Sequence, residues 1–490
     1  MALNKIEATE WFTAWLSEQR WFSGKNVQKE NITVRSLDLI DIPNHPMDCE
    51  RLKLAIVQVS NGSNEKTFLA PIQLQLRNQE IAGFSDAASD PIISDWILKL
   101  ILSCGTERTE AGRFVGHTVK QTIQAAPVSE VRSTAPLGVN ASNTSILINT
   151  QDGNKIQTEY VIKLFRTYHV GLAPEVEIGL HLAHCGWSGS PPLIGWLEYI
   201  PAGTEQGGVV ATVHEAITNT TDAWKYSINS LAEDIHARNT LHDLATRAGV
   251  LTAMMHKVLA TTKHSTEFSP VVPSTVETLT VAHTMTTHAL AVRDLLSTAD
   301  VPKTLHTRLK SVLDRWQSVQ NALQIVADLP HSAAFIRVHG DYHLGQLLID
   351  PERETLHVID FEGEPQRTLA ERRCRTSIFK DLAGMGRSFD YLCHRTENRK
   401  LKVKGNDLTQ AFLAAYKDRI AGESFYPDTQ EEADALFNAY MLDKAIYELA
   451  YEAQHRPEWL ETPLSALESF LQQGAAAVVQ PAPSSCRESH

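Results

Sequence analysis

Cysteine is scarce and scattered: there are six in 490 residues (Cys49, Cys104, Cys185, Cys374, Cys393 and Cys486), with no CxxC pair among them. That density cannot staple a disulfide scaffold, and the spacing does not suit a tetrahedral zinc site. The thiols read as those of a protein in a reducing cytosol. No run of 18 apolar residues offers a membrane span, and the N-terminal MALNKIEATEWF lacks the basic-then-apolar order of a secretory signal. Neither a strand–GxGxxG–helix unit nor GxxxxGK[ST] occurs, which removes the two commonest phosphate-binding loops. No repeat of fixed period is present. The 20 histidines include no HxxxH pair on a convincing helix, which argues against a transition-metal centre. Basic residues are outnumbered 45 to 58, giving a formal charge of −13 and a pI of about 5.9. A surface of that sign repels phosphate backbones and anionic lipid, so nucleic acid and membrane drop out as partners. The expected location is the cytoplasm.

What is present is an ordinary globular composition, 43% hydrophobic and 21% charged, in a chain long enough for two or three packed units. Residues 6–20 place Trp11, Phe12, Trp15 and Leu16 on one side of a short amphipathic helix. Alternating segments at 52–60 and 66–76 predict strands, and PIISDWILKLIL (91–102) predicts a helix opened by proline. This first part, 1–112, reads as a small mixed module. A second strand-rich region, 113–217, holds 131–150, an Asp152-Gly153 hairpin turn, TEYVIKLFR (158–166), a helix-like segment 174–185 and two further strand candidates after it, PPLIGWLEYI and VVATVHEAI. Residues 218–474 are mostly helical, with long stretches at 239–262, 274–297, 302–328, 406–420 and 429–455. The small-residue tail 475–490 predicts disorder. The fold class is therefore α+β, with a β-rich lobe followed by a mostly helical one.

One strand-rich island interrupts the helices: FIRVHGDYHLGQLLIDPERETLHVIDFEGE (335–364). An apolar run delivers His339-Gly340-Asp341. A strand at 347–349, a turn at Asp350-Pro351-Glu352-Arg353 and a second strand then deliver Asp360. Phosphoryl transfer to a hydroxyl needs one carboxylate to orient the acceptor and take its proton, and oxygen ligands to hold a divalent cation on the phosphates. Asp341, Gln346 five residues on and Asp360 beyond the hairpin follow the order and spacing of the protein-kinase catalytic loop and its metal-binding aspartate. Two aspartates at strand ends could equally be surface turn formers. The combination of HGDxxxxQ, hairpin and DFE favours the catalytic reading.

Lys163, inside the apolar strand YVIKLF, is costly to bury without a partner, which points to a paired lysine contacting nucleotide phosphates. In the kinase plan a carboxylate from the following helix, which carries Glu175 and Glu177, holds such a lysine. Ser142, Asn143, Thr144 and Ser145 form a small polar loop able to hydrogen-bond phosphate oxygens, although such clusters are also ordinary turns. Glu215 to Ile217, where strands give way to helices, is the expected hinge against adenine. On DKAIYELAYEAQHRPEWL (443–460), Tyr447 lies one turn from Tyr451, and Lys444, Glu448 and Glu452 follow one another at the same interval. That face suits a carbohydrate or a solvated helix packing its tyrosines inward. His256, on an apolar helical stripe, reads as a core or capping histidine.

The stretches HGDYHLGQ, VIDFEGEP, ERR and KDLAGMGRSFDY, with SEQRWFSGK, SNTS, YVIKLFR and TNTTDAW before them and DKAIYELAYEAQHRPEWL after, resemble the actinobacterial maltokinases. The likeness spans nearly the whole chain except residues 25–130. It implies a bilobal protein-kinase-like fold with an N-terminal cap, ATP and Mg²⁺ as cofactors, and phosphorylation of maltose at its anomeric hydroxyl. It further implies α-glucan synthesis from trehalose-derived maltose, with a trehalose-isomerising enzyme as partner. Residue by residue, it makes Asp341 the base, Gln346 and Asp360 the Mg²⁺ ligands, and Lys163 and Glu177 the phosphate-contacting pair. It places His343, Glu362, Arg387, Asp390, Lys444, Tyr447, Glu448, Tyr451, Glu452 and Trp459 around the sugar. Glucosamine kinases share this scaffold and are the nearest alternative. A non-catalytic sugar- or nucleotide-binding regulator is the alternative from another class.

Overall fold

A computed structural model describes residues 5–19, 21–22, 32–42, 52–61, 64–77, 80–119, 130–137, 143–151, 157–233, 237–263, 265–329, 333–394 and 404–478. The expected Asp152-Gly153 turn, Ser142 and the tail from 479 onward lie outside the described residues. Residues 475–478 of the small-residue stretch close the helix Glu461–Val478. Two compact units are formed: Met1–Thr220 with Ile359–Arg373, and Thr221–Val358 with Cys374–His490. Among the described residues no helix is long and apolar enough to cross a membrane.

The first unit holds two antiparallel sheets. One contains Ile32–Asp41, Leu52–Asn61, Asn64–Arg77 and Glu80–Asp86, and takes the two-residue strand Thr167–Tyr168 onto Asn64–Arg77. The other has seven strands, ordered Thr106–Thr109, Gly112–Thr118, Leu193–Pro201, Gly208–Glu215, Gln157–Leu164, Thr144–Gln151 and Glu130–Leu137. Strict alternation shapes it: Ile146, Ile148, Ile162 and Leu164 are buried in one core with Trp96, Ile97 and Phe114. Pleating therefore turns Lys163 to the opposite face. The helix Pro91–Leu102 begins as its sequence predicts, with Asp90 accepting from the Ile92 N–H and Pro91 at the first turn. Phe12, Leu16, Trp21 and Phe22 pack with Phe68 and Phe84 in a separate aromatic core.

The second unit is helical around a small sheet of Thr221–Asp222, Leu347–Asp350 and Thr355–Val358. Asp350 caps the hairpin turn by accepting from the N–H groups of Glu352 and Arg353. The stretch 302–328, expected as one helical run, is a single 3₁₀ turn, the helix His306–Leu313 and the helix Trp316–Asp328. The break falls at Arg315, whose φ of −109° and ψ of 17° leave the helical basin as the chain buries Trp316.

Candidate active site

In the first unit, Lys163 is the centre of a cage of carboxylates. Its ammonium donates to Glu175 Oε2 at 3.0 Å and to Asp360, and is ion-paired with Glu362. Glu175 also faces His214 Nε2 at 3.3 Å. Burial disfavours the charge on Lys163, but Asp360, Glu175 and Glu362 outweigh it and hold the pKa well above the usual lysine value. Glu175 is likewise penalised by burial, yet Lys163 and His214 hold it well below the usual carboxylate range. Burial pushes Glu362 the other way, upward, with Asp360 and Glu175 adding to the shift. The carboxylates thus favour the charged form of the lysine, and their own shifts run in opposite directions.

The helix partner of Lys163 is Glu175 rather than the expected Glu177. Two residues along a helix turn a side chain by roughly 200°, so both glutamates cannot face one strand. Glu177 instead takes a forked pair from Arg373, at 3.0 and 3.2 Å. Asn143 donates from Nδ2 to Glu362 Oε1 at 2.6 Å, and Thr144 and Ser145 begin the strand that pairs with Lys163's own. At the expected hinge, the Glu215 and Ala216 N–H groups donate to Pro192 O and Glu159 O, and Ile217 O accepts from Thr220.

Asp360 follows the hairpin with φ of +69°, a left-handed conformation that a residue with a Cβ adopts rarely and aspartate more easily than most. Such bends persist where the surroundings over-determine them. The carboxylate oxygens of Glu175, Asp360 and Glu362 lie within 4.8 Å of one another, a hard-oxygen set of the kind that suits a divalent cation.

In the second unit, Asp341 sits in a loop pinned from below by Asp381. The Asp381 carboxylate accepts from the N–H groups of His339 and Gly340, each at 2.8 Å, and from His256 Nε2 at 3.1 Å. His256 is core, as expected, with Nδ1 on the Tyr416 hydroxyl. Burial opposes the Asp381 charge, but these donors win and lower its pKa. Gly340 turns the loop with φ of +87°. Helix Phe379–His394 approaches so closely that a Cβ on Gly384 would stand 2.4 Å from Tyr342 O. Lys444 Nζ lies 3.5 Å from Asp341 Oδ1. His343 caps the turn Leu344–Gln346, its Nδ1 accepting from the Gly345 N–H, and Gln346 ends that turn.

Of the expected sugar residues, Glu362 lies in the first unit, paired with Lys163, and His343 caps its own turn; the rest form one network in this second unit. Lys444 and Glu448, a turn apart, look to different partners. Lys444 reaches Asp341, while Glu448 accepts from Arg387, which also donates to Asp390 at 2.8 Å. Arg387 is only 1% exposed, and burial raises the pKa of Glu448 and Asp390. Glu452 accepts from Tyr391 at 2.9 Å and from Arg456. Tyr447 stacks on Tyr451 with centroids 6.4 Å apart, Lys444 lies over Tyr447, and Trp459 stacks on Tyr391 at 6.0 Å. Sequence reasoning passes over Glu175 as the lysine's partner, and over Asp381, Tyr391 and Arg373. The last three sit in the motifs quoted above, yet only a distant partner, and for Asp381 full burial, distinguishes them from surface residues.

Residues 133–363 match the model of the phosphotransferase enzyme family. Among curated proteins, the chain is 26% identical over 364 residues to a glucosamine kinase of Streptacidiphilus jiangxiensis, covering 71% of this chain and 75% of that one. It is 25% identical over 357 residues to a glucosamine kinase of Mycolicibacterium smegmatis, covering 70% and 81%. Among solved structures it is similar to a glucosamine kinase in complex with glucosamine, ADP and inorganic phosphate, with a TM-score of 0.58 at 19% identity, covering 90% of this chain and 94% of that one. The fold is that of the kinase-like phosphotransferases, and the chain is a phosphotransferase whose acceptor is an alcohol group.

Proposed function

We propose that the protein is an ATP- and Mg²⁺-dependent sugar kinase that phosphorylates maltose at its anomeric hydroxyl. The observation that carries the kinase reading is the Lys163 cage: a buried, charged ammonium fixed by Glu175 beside Asp360. Lys163 holds the nucleotide phosphates, and Asn143 to Ser145 line them with amide and hydroxyl groups. Asp341 accepts the proton of the attacking hydroxyl, with Lys444 fixing the carboxylate's position. Asp360 would hold Mg²⁺, which when bound neutralises charge on the transferring phosphate. Tyr447, Tyr451 and Trp459 offer ring faces to the CH surface of a sugar, and Glu448, Asp390 and Glu452 offer acceptors to its hydroxyls. Residues 1–112 serve as the cap, 113–217 as the nucleotide lobe and 218–474 as the acceptor lobe.

Glucosamine is the second reading. It is supported by the names of the relatives and by the Arg387 cluster, where Asp390 and Glu448 share one guanidinium and leave a net negative charge for an ammonium. A regulator without activity would have no need of a caged lysine and a pinned aspartate. The test is ADP release from Mg-ATP with maltose, glucose, glucosamine and an aminoglycoside. Turnover with maltose in clear preference is expected. Turnover with glucosamine and none with maltose overturns the substrate, and no turnover with any of the four overturns the sugar-kinase reading.

A further inference from the structure

The chain that carries Lys163 passes directly from one sheet to the other. Gln157–Leu164 lies inside the seven-stranded sheet, and after only Phe165 and Arg166 the strand Thr167–Tyr168 pairs with Phe68 and Thr67 of the N-terminal sheet. Arg166, in that two-residue link, is 1% exposed, and its backbone carbonyl accepts from the Leu69 N–H at 2.9 Å.

The Arg166 side chain ties the same two elements together. Its guanidinium donates from Nη2 to Asp86 at 2.7 Å and lies over the Trp21 ring at 4.7 Å, and Trp21 Nε1 donates to the same Asp86 oxygen at 3.0 Å. On its other side, Arg166 Nε donates to Thr144 Oγ1 at 2.9 Å, and the Arg166 N–H donates to Asn143 Oδ1 at 3.3 Å. Asn143 in turn donates to Glu362, which is paired with Lys163. Every link lies within one compact unit.

We propose that Arg166 is a positioning residue through which the N-terminal sheet, by way of Trp21 and Asp86, sets the geometry of Asn143 and Glu362 beside Lys163 and so tunes affinity for the nucleotide. The inference rests on the nucleotide reading of the Lys163 site. A planar fork can serve Asp86, Thr144 and the Trp21 face together; a lysine ammonium on the same stem keeps the charge and loses that combination.

The test uses the full chain and needs no knowledge of the acceptor: ADP is titrated by calorimetry in Mg²⁺ buffer into wild type, Arg166→Lys, Asp86→Asn and the variant carrying both. Thermal midpoints are recorded alongside, and titrations are run well below them. Each variant is expected to weaken ADP binding on the order of tenfold, with the double variant no worse than the poorer single one because both act through one link. In turnover, the KM for ATP rises while the acceptor KM stays within about twofold. Should Arg166→Lys fail to fold, Asp86→Asn carries the same expectation. Nucleotide affinity unchanged in the folded variants, or nucleotide and acceptor constants rising together, overturns the positioning role. A wild type that binds no ADP overturns the nucleotide reading itself and the inference with it.

Discussion

Lys163→Met removes the one cation that three carboxylates share. The Glu175 and Glu362 side chains are 6% and 10% exposed, so neither can recover much hydration, whereas Asp360 at 38% is screened and counts for less. Removing one partner of a buried ion pair costs about 3–5 kcal/mol, and a folded unit of some 150–250 residues loses ~2–4 °C of midpoint per kcal/mol, so a fall of roughly 6–20 °C follows at neutral pH. The pH dependence carries the sharper test. In the wild type Glu175 is held below its ordinary value, so its contribution is present at neutral pH and is lost as pH falls from about 4.5 toward about 2. Without the lysine, burial and mutual repulsion raise the folded pKa values of these acids above their unfolded ones. The variant's deficit is then smallest in acid and grows as pH rises. Thermal midpoints of both proteins at pH 5 and pH 8 measure this. A deficit equal at the two pH values, or a midpoint within about 2 °C of wild type at pH 8, refutes the shared-cation account.

Two further outcomes follow from the proposed role of the Asp341 loop. Asp341→Asn keeps the shape of the side chain and removes its proton-accepting charge, so turnover measured by ADP release falls on the order of 10²–10⁴-fold, and an unchanged rate rejects the base role. Gly384→Ala drives a methyl against Tyr342 O, where only 2.4 Å is free, and is expected to cost about 1–3 kcal/mol of stability by denaturant titration, with kcat reduced as the Asp341 loop shifts.

The shape of the 335–364 island, with its loop, hairpin and left-handed Asp360, is legible because its signals are local. HGD, the glutamine five residues on, the hairpin and the aspartate beyond it lie within one 30-residue stretch, and turn chemistry fixes their order. Lys163 is legible for a different reason: a lysine amid Val161, Ile162, Leu164 and Phe165 contradicts its neighbours and demands a partner. The partner's identity is not legible, since Glu175 and Glu177 both occupy the first helical turn and only the docking of the helix onto the sheet separates them. Asp381 reads in sequence as an unexceptional acid at the start of an amphipathic helix. Its role depends on two backbone N–H groups about forty residues upstream and on His256, farther still. Arg166 and Asp86 are 80 residues apart, and no periodicity in either neighbourhood announces their pairing.

The left-handed bend at Asp360 restricts what can replace it. Most side chains at φ of +69° would carry a backbone penalty of ~1–2 kcal/mol, while asparagine and glycine are exempt. An alanine there confounds two lesions, one of charge and one of chain geometry. A drift to asparagine would preserve the bend and the hairpin before it while erasing the charge beside Lys163. An asparagine here would therefore change the charge of the cluster without any change of shape, and only the sequence would show it.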